Sequence, residues 1–352
     1  MSEVYLVLEN GSVFKGKSFG YDGEAIGELV FSTGMTGYME ALSDPAYYGQ
    51  ILLQTFPLIG NYGVIPEDFG TGPAHLKAYI VRDWCQEPSN FRNEGNLDSF
   101  LREKKIPGLF GIDTRKLTRE IREHGTMNAK ISKKAELSES EWAEIRSFKV
   151  SGAVETVAAT SAKPENKSGN PGAKVTVWDF GGARTATKWL EANGCNVSVK
   201  PFNATADEVL ADKADGIVLS RGPGDPAENT KIVEQISKLL DKNVPILGIG
   251  LGHQLLALAA GAKTEKLNFG HRGNNQAVRE VNTTRAFVST QNHGYIVKAD
   301  SLPECATMSH INVNDGSCEG IEYNCMPAFS IQFAPDEIIF NKFKSMMEGG
   351  CQ

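Results

Sequence analysis

No stretch of 18 or more consecutive apolar residues occurs in the 352-residue sequence, so no membrane-spanning helix is expected. The opening residues, Met1-Ser2-Glu3-Val4, have neither the basic start nor the apolar run of a secretory leader. A cytoplasmic location is therefore the expectation. Positive charge is in short supply. Lys and Arg total 36 against 43 Asp and Glu, a net charge of −7, whereas a general nucleic-acid binder would show a basic balance. Cysteines number six, at 85, 195, 305, 318, 325 and 351, and no two form C-x-x-C. Neither a zinc site nor a redox motif is written in that spacing, and six free thiols are expected in a reducing compartment. The six histidines are scattered without H-E-x-x-H spacing, so no metal is expected. What remains is ordinary: 41% hydrophobic and 22% charged residues. At about 100–200 residues per domain, the length predicts two domains or one large one.

The first part reads as β-rich. Residues 4–9 and 12–19 alternate apolar and polar around Asn10-Gly11, a strong hairpin signal. Further strands are expected at 27–33, 50–56 and 75–82. Helices are expected at 96–105, at 113–124 behind the N-cap Asp113 and before Gly125, and at 138–148 behind the capping-box pair Ser138 and Glu141. Residues 152–174, GAVETVAATSAKPENKSGNPGAK, are small and polar with two prolines, and read as a linker. Beyond them the pattern alternates. Short β-branched runs at 174–179, 195–201, 216–219 and 244–249 are separated by helical segments at 183–192, 206–213 and 229–242. That is the signature of a doubly wound, mostly parallel sheet. A helix at 254–260, strands at 286–290, 320–323 and 328–333, and a last helix at 337–347 complete the reading. The predicted class is α/β: an N-terminal mixed α+β domain over 1–151, a linker over 152–173, and an α/β domain over 174–352.

In such sheets, sites lie beyond the carboxyl ends of the strands. Four segments qualify. Ser220-Arg221-Gly222-Pro223-Gly224-Asp225-Pro226 follows a strand, and alone it reads as a tight turn. Gly248-Ile249-Gly250-Leu251-Gly252-His253-Gln254 has the layout of a nucleophile elbow, which needs Ser or Cys at its centre. Gly250 stands there. This excludes an α/β hydrolase. A dinucleotide fingerprint running from Gly250 and Gly252 would need glycine at 255, where Leu255 stands. The third segment is Gln291-Asn292-His293-Gly294-Tyr295, read as a loop. The fourth runs from Phe329 to Asp336 at a strand end.

These four segments, in this order, resemble the class I glutamine amidotransferases, and more closely the small, glutaminase subunit of carbamoyl-phosphate synthase. Residues 248–261 (GIGLGHQLLALAAG), 263–275 (KTEKLNFGHRGNN) and 291–295 carry the resemblance in the second half. In the first half it is carried by 31–38 (FSTGMTGY), 57–62 (PLIGNY), 89–92 (SNFR) and 111–118 (GIDTRKLT). The resemblance implies a class I amidotransferase-like second domain. It also implies a Cys–His–Glu triad that hydrolyses glutamine, and a large-subunit partner that makes carbamoyl phosphate from bicarbonate and ATP. ATP, magnesium and bicarbonate would then belong to that partner, with no cofactor in this chain. The product's destination, pyrimidine synthesis, arginine synthesis or ammonia disposal, stays open.

Carried over position by position, the triad is degenerate. Gly250 stands for the nucleophile, Ala334 for the histidine and Asp336 for the glutamate. Ala46 replaces a serine, and Arg221 replaces an asparagine. The last helix follows Asp336 directly, shortening the rim. Gly222, Gly224, Leu251, Gln254, Asn292, Gly294 and Tyr295 match residual glutamine-pocket positions, kept either for binding or for the fold. Three functions follow as expectations. The first is a pseudo-glutaminase that supports an ammonia-using large subunit in a hetero-oligomer. The second is an active glutaminase, and the third a glutamine-binding regulatory module.

Overall fold

The computed structural model describes residues 2–69, 73–159, 162–166 and 172–349. The chain divides into two compact units, Met1–Ser151 with Asn268–Asn274, and Gly152–Leu267 with Asn275–Gln352. Among the described residues no helix is long and apolar enough to cross a membrane.

The first unit is built on a closed seven-stranded barrel. Its circuit runs Glu3–Leu8, Val13–Gly20, Pro107–Phe110, Ala78–Ile80, Gln50–Gln54, Ala25–Ser32, Met127–Ser132 and back to the first strand. Asn10 and Gly11 turn the predicted hairpin, and Leu6 pairs with Phe14. Alternation decides which face each side chain takes. Leu29 and Phe31 join one core cluster, while Val30 between them joins another. The helix Thr114–His124 starts where Asp113 accepts from the Lys116 N–H and ends at Gly125 with φ 89°. The helix Glu139–Ser147 carries the complete capping box of Ser138 and Glu141.

The second unit is an α/β layer structure. Its ten-stranded sheet runs Lys163–Asn166, Asn196–Lys200, Lys174–Trp178, Gly216–Leu219, Ile246–Ile249, Ala328–Ile331, Cys318–Tyr323, Ala306–Asn312, Thr264–Glu280, Ala286–Val297. The strands from Asn196–Lys200 to Ala328–Ile331 are mutually parallel. Beyond them the ladder turns antiparallel. Each face of the parallel part is covered. Trp178 and Leu219 pack with Ile236 and Leu255 from helices on one side, and Val177 and Val218 with Leu190 and Phe343 on the other. This is the doubly wound arrangement that the strand–helix alternation predicts.

Two expectations are corrected. The presumed linker contains the helix Ala153–Val157 and the strand Lys163–Asn166, which pairs antiparallel with Asn196–Lys200. Its small residues are core residues: Val154 and Ala158 are buried in one of the two sheet clusters. Residues 160–161 and 167–171 of that segment, like Cys351, lie outside the described residues. The Gln291–Tyr295 segment is not a loop either. It lies inside the strand Ala286–Val297, and 264–275 lie inside Thr264–Glu280. Asn292 and Gly294 suggest a turn, but the sheet holds them within a strand.

Candidate functional site

The site lies at the carboxyl ends of Gly216–Leu219, Ile246–Ile249 and Ala328–Ile331. Gly250 ends the second of these and caps the helix Leu251–Ala259. Its φ of 58° and ψ of −112° place it in a region that side chains rarely occupy. This is the sharp strand-to-helix turn of a nucleophile elbow. The Gly250 N–H donates to the Ile331 carbonyl at 2.9 Å, tying the turn to the neighbouring strand. A Cβ on Gly250 would stand 3.0 Å from Arg221 Cβ, so Arg221 faces the elbow from the adjacent strand end.

The tightness of this corner explains the other glycines. A Cβ on Gly222 would meet the Phe180 carbonyl oxygen at 2.0 Å, and one on Gly252 the Leu219 carbonyl oxygen at 2.2 Å. Gly224 holds φ 87° with Ala153 Cβ at 2.9 Å from the place of its own. Gly222 is therefore required by backbone packing whatever the site binds. Gln254 likewise has a structural role. Its Nε2 donates to the Tyr295 carbonyl at 2.7 Å and to Gln332 Oε1 at 2.9 Å, joining the elbow helix to two strands. Leu251 is buried in the core.

Ala334 lies just past Ala328–Ile331, and its N–H donates to the Thr290 carbonyl at 3.0 Å. It offers only a methyl group. Asp336 is fully engaged as a structural residue. Its Oδ1 accepts from the Ile339 N–H at 3.0 Å, capping the last helix Glu337–Met347. Its Oδ2 faces Arg285 at 3.4 Å. On Ala286–Val297, the two-residue period of a strand places Asn292 and Gly294 on one face and Gln291, His293 and Tyr295 on the other. The side-chain bond from His293 Nε2 to Gln291 Oε1, 3.1 Å, agrees with that division. Ala46 belongs to the first unit, in the short turn Pro45–Tyr47, where its N–H donates to Asp44 Oδ1 at 3.0 Å.

Beneath the elbow lies His253, which stands near the end of the elbow segment of the sequence. His253 is fully buried, and its Nδ1 shares a hydrogen bond of 2.8 Å with the Ser330 hydroxyl. Its Nε2 has no partner. Burial away from any compensating charge pushes its pKa down to about 3, so the ring is neutral. A ring whose pKa is that low is a far weaker base than an ordinary imidazole, and its Nδ1 is engaged by Ser330. Arg285 and Gln332 were missed as partners of Asp336 and Gln254. Gln332 stood inside the strand-end motif, but nothing in the pattern marks Arg285.

Both halves of the chain match known families. The family described as carbamoyl-phosphate synthase small chain, CPSase domain, matches residues 6–131, and glutamine amidotransferase class-I matches residues 176–349. The carbamoyl phosphate synthase small chain of Lactococcus lactis subsp. lactis is 43% identical over 99% of both chains. That of Bacillus caldolyticus is 46% identical over 94% of this chain and 90% of its own. The carbamoyl phosphate synthase pyrimidine-specific small chain of Halalkalibacterium halodurans is 45% identical over 97% and 96%.

Proposed function

The chain belongs to the family of carbamoyl phosphate synthase small chains, and we propose that within it this chain is a pseudo-glutaminase subunit. In this reading it binds a large subunit in a hetero-oligomer and supports carbamoyl phosphate synthesis from free ammonia. ATP, magnesium and bicarbonate are handled by that partner. One observation carries the proposal: the elbow keeps its strained backbone at Gly250 but presents no side chain. Glutamine hydrolysis by this family's route needs a thiolate to attack the amide carbon and an imidazole to take and return the proton. Gly250 and Ala334 supply neither. Asp336, which would orient the imidazole, caps a helix instead.

Loss of a triad leaves only binding and oriented N–H groups, a fall of several orders of magnitude in rate. The contribution of the subunit is then allosteric or structural. It must bind one state of the partner better than another, since equal affinity would shift nothing. The test is carbamoyl phosphate formation by the reconstituted pair, with glutamine and with ammonium separately. Product with ammonium only, at a higher rate or with longer survival than the large subunit alone, is the expected result. Product with glutamine would overturn the reading and restore the active glutaminase as the function.

A second reading has its own support. Asn292 and Gly294 remain on one strand face and Leu251 follows the elbow, so the chain keeps positions that match the family's glutamine pocket. A glutamine-binding regulatory subunit would show a thermal shift or calorimetric heat with millimolar glutamine, and no ammonia release.

A further inference from the structure

Cys305 and Cys325 fall outside the site and outside every motif of the sequence. They come from turns at one end of the antiparallel pair Ala306–Asn312 and Cys318–Tyr323. Ala306 pairs with Tyr323. Cys305 immediately precedes that pair, and Cys325 lies two residues past it, in the turn that leads into Ala328–Ile331. The backbone continues the pairing by one step, since the Asn324 N–H donates to the Cys305 carbonyl at 2.7 Å. This holds the two cysteines as near neighbours across the strand ends, and the neighbouring Cys325 thiol pushes the Cys305 thiol up. Cys325 is exposed and Cys305 half-buried, both as free thiols. Neither sits within a strand, so the turns can adjust to the dihedral a disulfide requires.

The contrast with the other cysteines of this unit is the access of Cys325 to solvent, since Cys305, like the buried thiols, is pushed up. Cys195 and Cys318 are buried. Burial pushes both thiols up, Cys318 to about 12, which suppresses the thiolate that reacts. We infer that Cys305 and Cys325 are a dithiol modification site that small-molecule disulfides, such as oxidised glutathione, convert reversibly to an intramolecular disulfide. The Cys325 thiol loses its proton to solvent, and its sulfur attacks one sulfur of the oxidant. The S–S bond of the oxidant breaks, and its second half leaves as a thiolate that takes up a proton. Cys305 then loses its proton and attacks the Cys325 sulfur. The mixed disulfide breaks and the remaining glutathione leaves as the second thiol. Two protein thiols lose two electrons and two protons, and one oxidant disulfide gains them.

The test uses the full chain carrying Cys351→Ser, which removes the terminal thiol as a competing partner. It is reduced, then equilibrated with oxidised glutathione, acid-quenched, unfolded and titrated for thiols. With six cysteines in the native sequence, this variant starts with five (6 − 1), and the expected count after oxidation is three (5 − 2). The expected peptide map joins Cys305 to Cys325 with no glutathione retained, and dithiothreitol restores all five thiols. A further change of Cys305→Ser should leave one glutathione on Cys325. The inference is overturned if the unmodified pair accumulates glutathione on Cys325 without the internal bond, if the bond forms to Cys85, Cys195 or Cys318, or if no thiol is lost.

Discussion

Gly250 shows how one residue separates architecture from chemistry. A side chain there must accept φ 58° and stand 3.0 Å from Arg221 Cβ. Backbone strain of this kind costs about 1–3 kcal/mol. Gly250→Cys should therefore lower stability by that amount in denaturant unfolding. It should not release ammonia from glutamine, because Ala334 provides no imidazole to activate the thiol. Ammonia release by the single variant would show that a base had been overlooked. His253 makes the second prediction at this scale. Its folded pKa of about 3 lies below the ordinary 6.5, so the unfolded chain binds a proton that the folded chain does not. The stabilising contribution is fully present above about pH 6.5 and is lost progressively as pH falls toward 3. At ~1.36 kcal/mol per pKa unit, the upper bound is roughly 5 kcal/mol. His253→Gln should flatten the acid side of a stability–pH curve. An unchanged slope would assign the acid sensitivity to other groups.

Helix ends were the most legible elements, because a cap is a local contact between residues three apart. Asp113, Ser138 and Glu141 act as the sequence predicted. Asp336 belongs with them. Matched to a catalytic glutamate by position, it is by contact the N-cap of Glu337–Met347. Asp336→Ala should cost about 1 kcal/mol of stability and Asp336→Asn only a few tenths, since asparagine also caps. The half-exposed ion pair with Arg285 adds little. A loss larger in Asn than in Ala would contradict the capping role. The elements that escaped the sequence are those decided by distant partners. Val154 and Ala158 look like linker residues until the core of the second unit covers them. Asn292 and Gly294 look like a turn until the sheet extends them. Of the site, the backbone corner was readable because its glycines are sterically required. The engagement of Gln254 with Gln332 and of Asp336 with Arg285 was not, because no periodicity links residues 78 and 51 positions apart.

At the scale of the whole molecule, the chain does not finish its first unit at Ser151. Asn268–Asn274 returns to it from within the long strand Thr264–Glu280. The Thr33 N–H donates to the Arg272 carbonyl at 3.2 Å, and the Thr126 N–H to the Asn268 carbonyl at 2.7 Å. Phe269 stacks on Phe31 at 5.7 Å between ring centroids and packs against the barrel cluster. A sequence boundary drawn at the composition shift near 152 misses this return, since a seven-residue segment leaves no compositional trace. The segment gives the first unit a testable dependence on the second half of the chain. Full burial of a phenylalanine contributes about 1.5–3 kcal/mol, so the partly buried Phe269 contributes roughly half of that, and its ring contact adds about 0.5–1.5 kcal/mol. Phe269→Ala in the full chain should therefore destabilise the first unit by about 1–3 kcal/mol. A fragment ending at Ser151 should expose the uncovered barrel face to a hydrophobic dye and unfold at lower denaturant than the same unit in the intact chain. Addition of a synthetic 268–274 peptide should shift its midpoint back. A fragment as stable as the intact unit, with no dye binding, would mean that the returning segment rests on a barrel already complete without it.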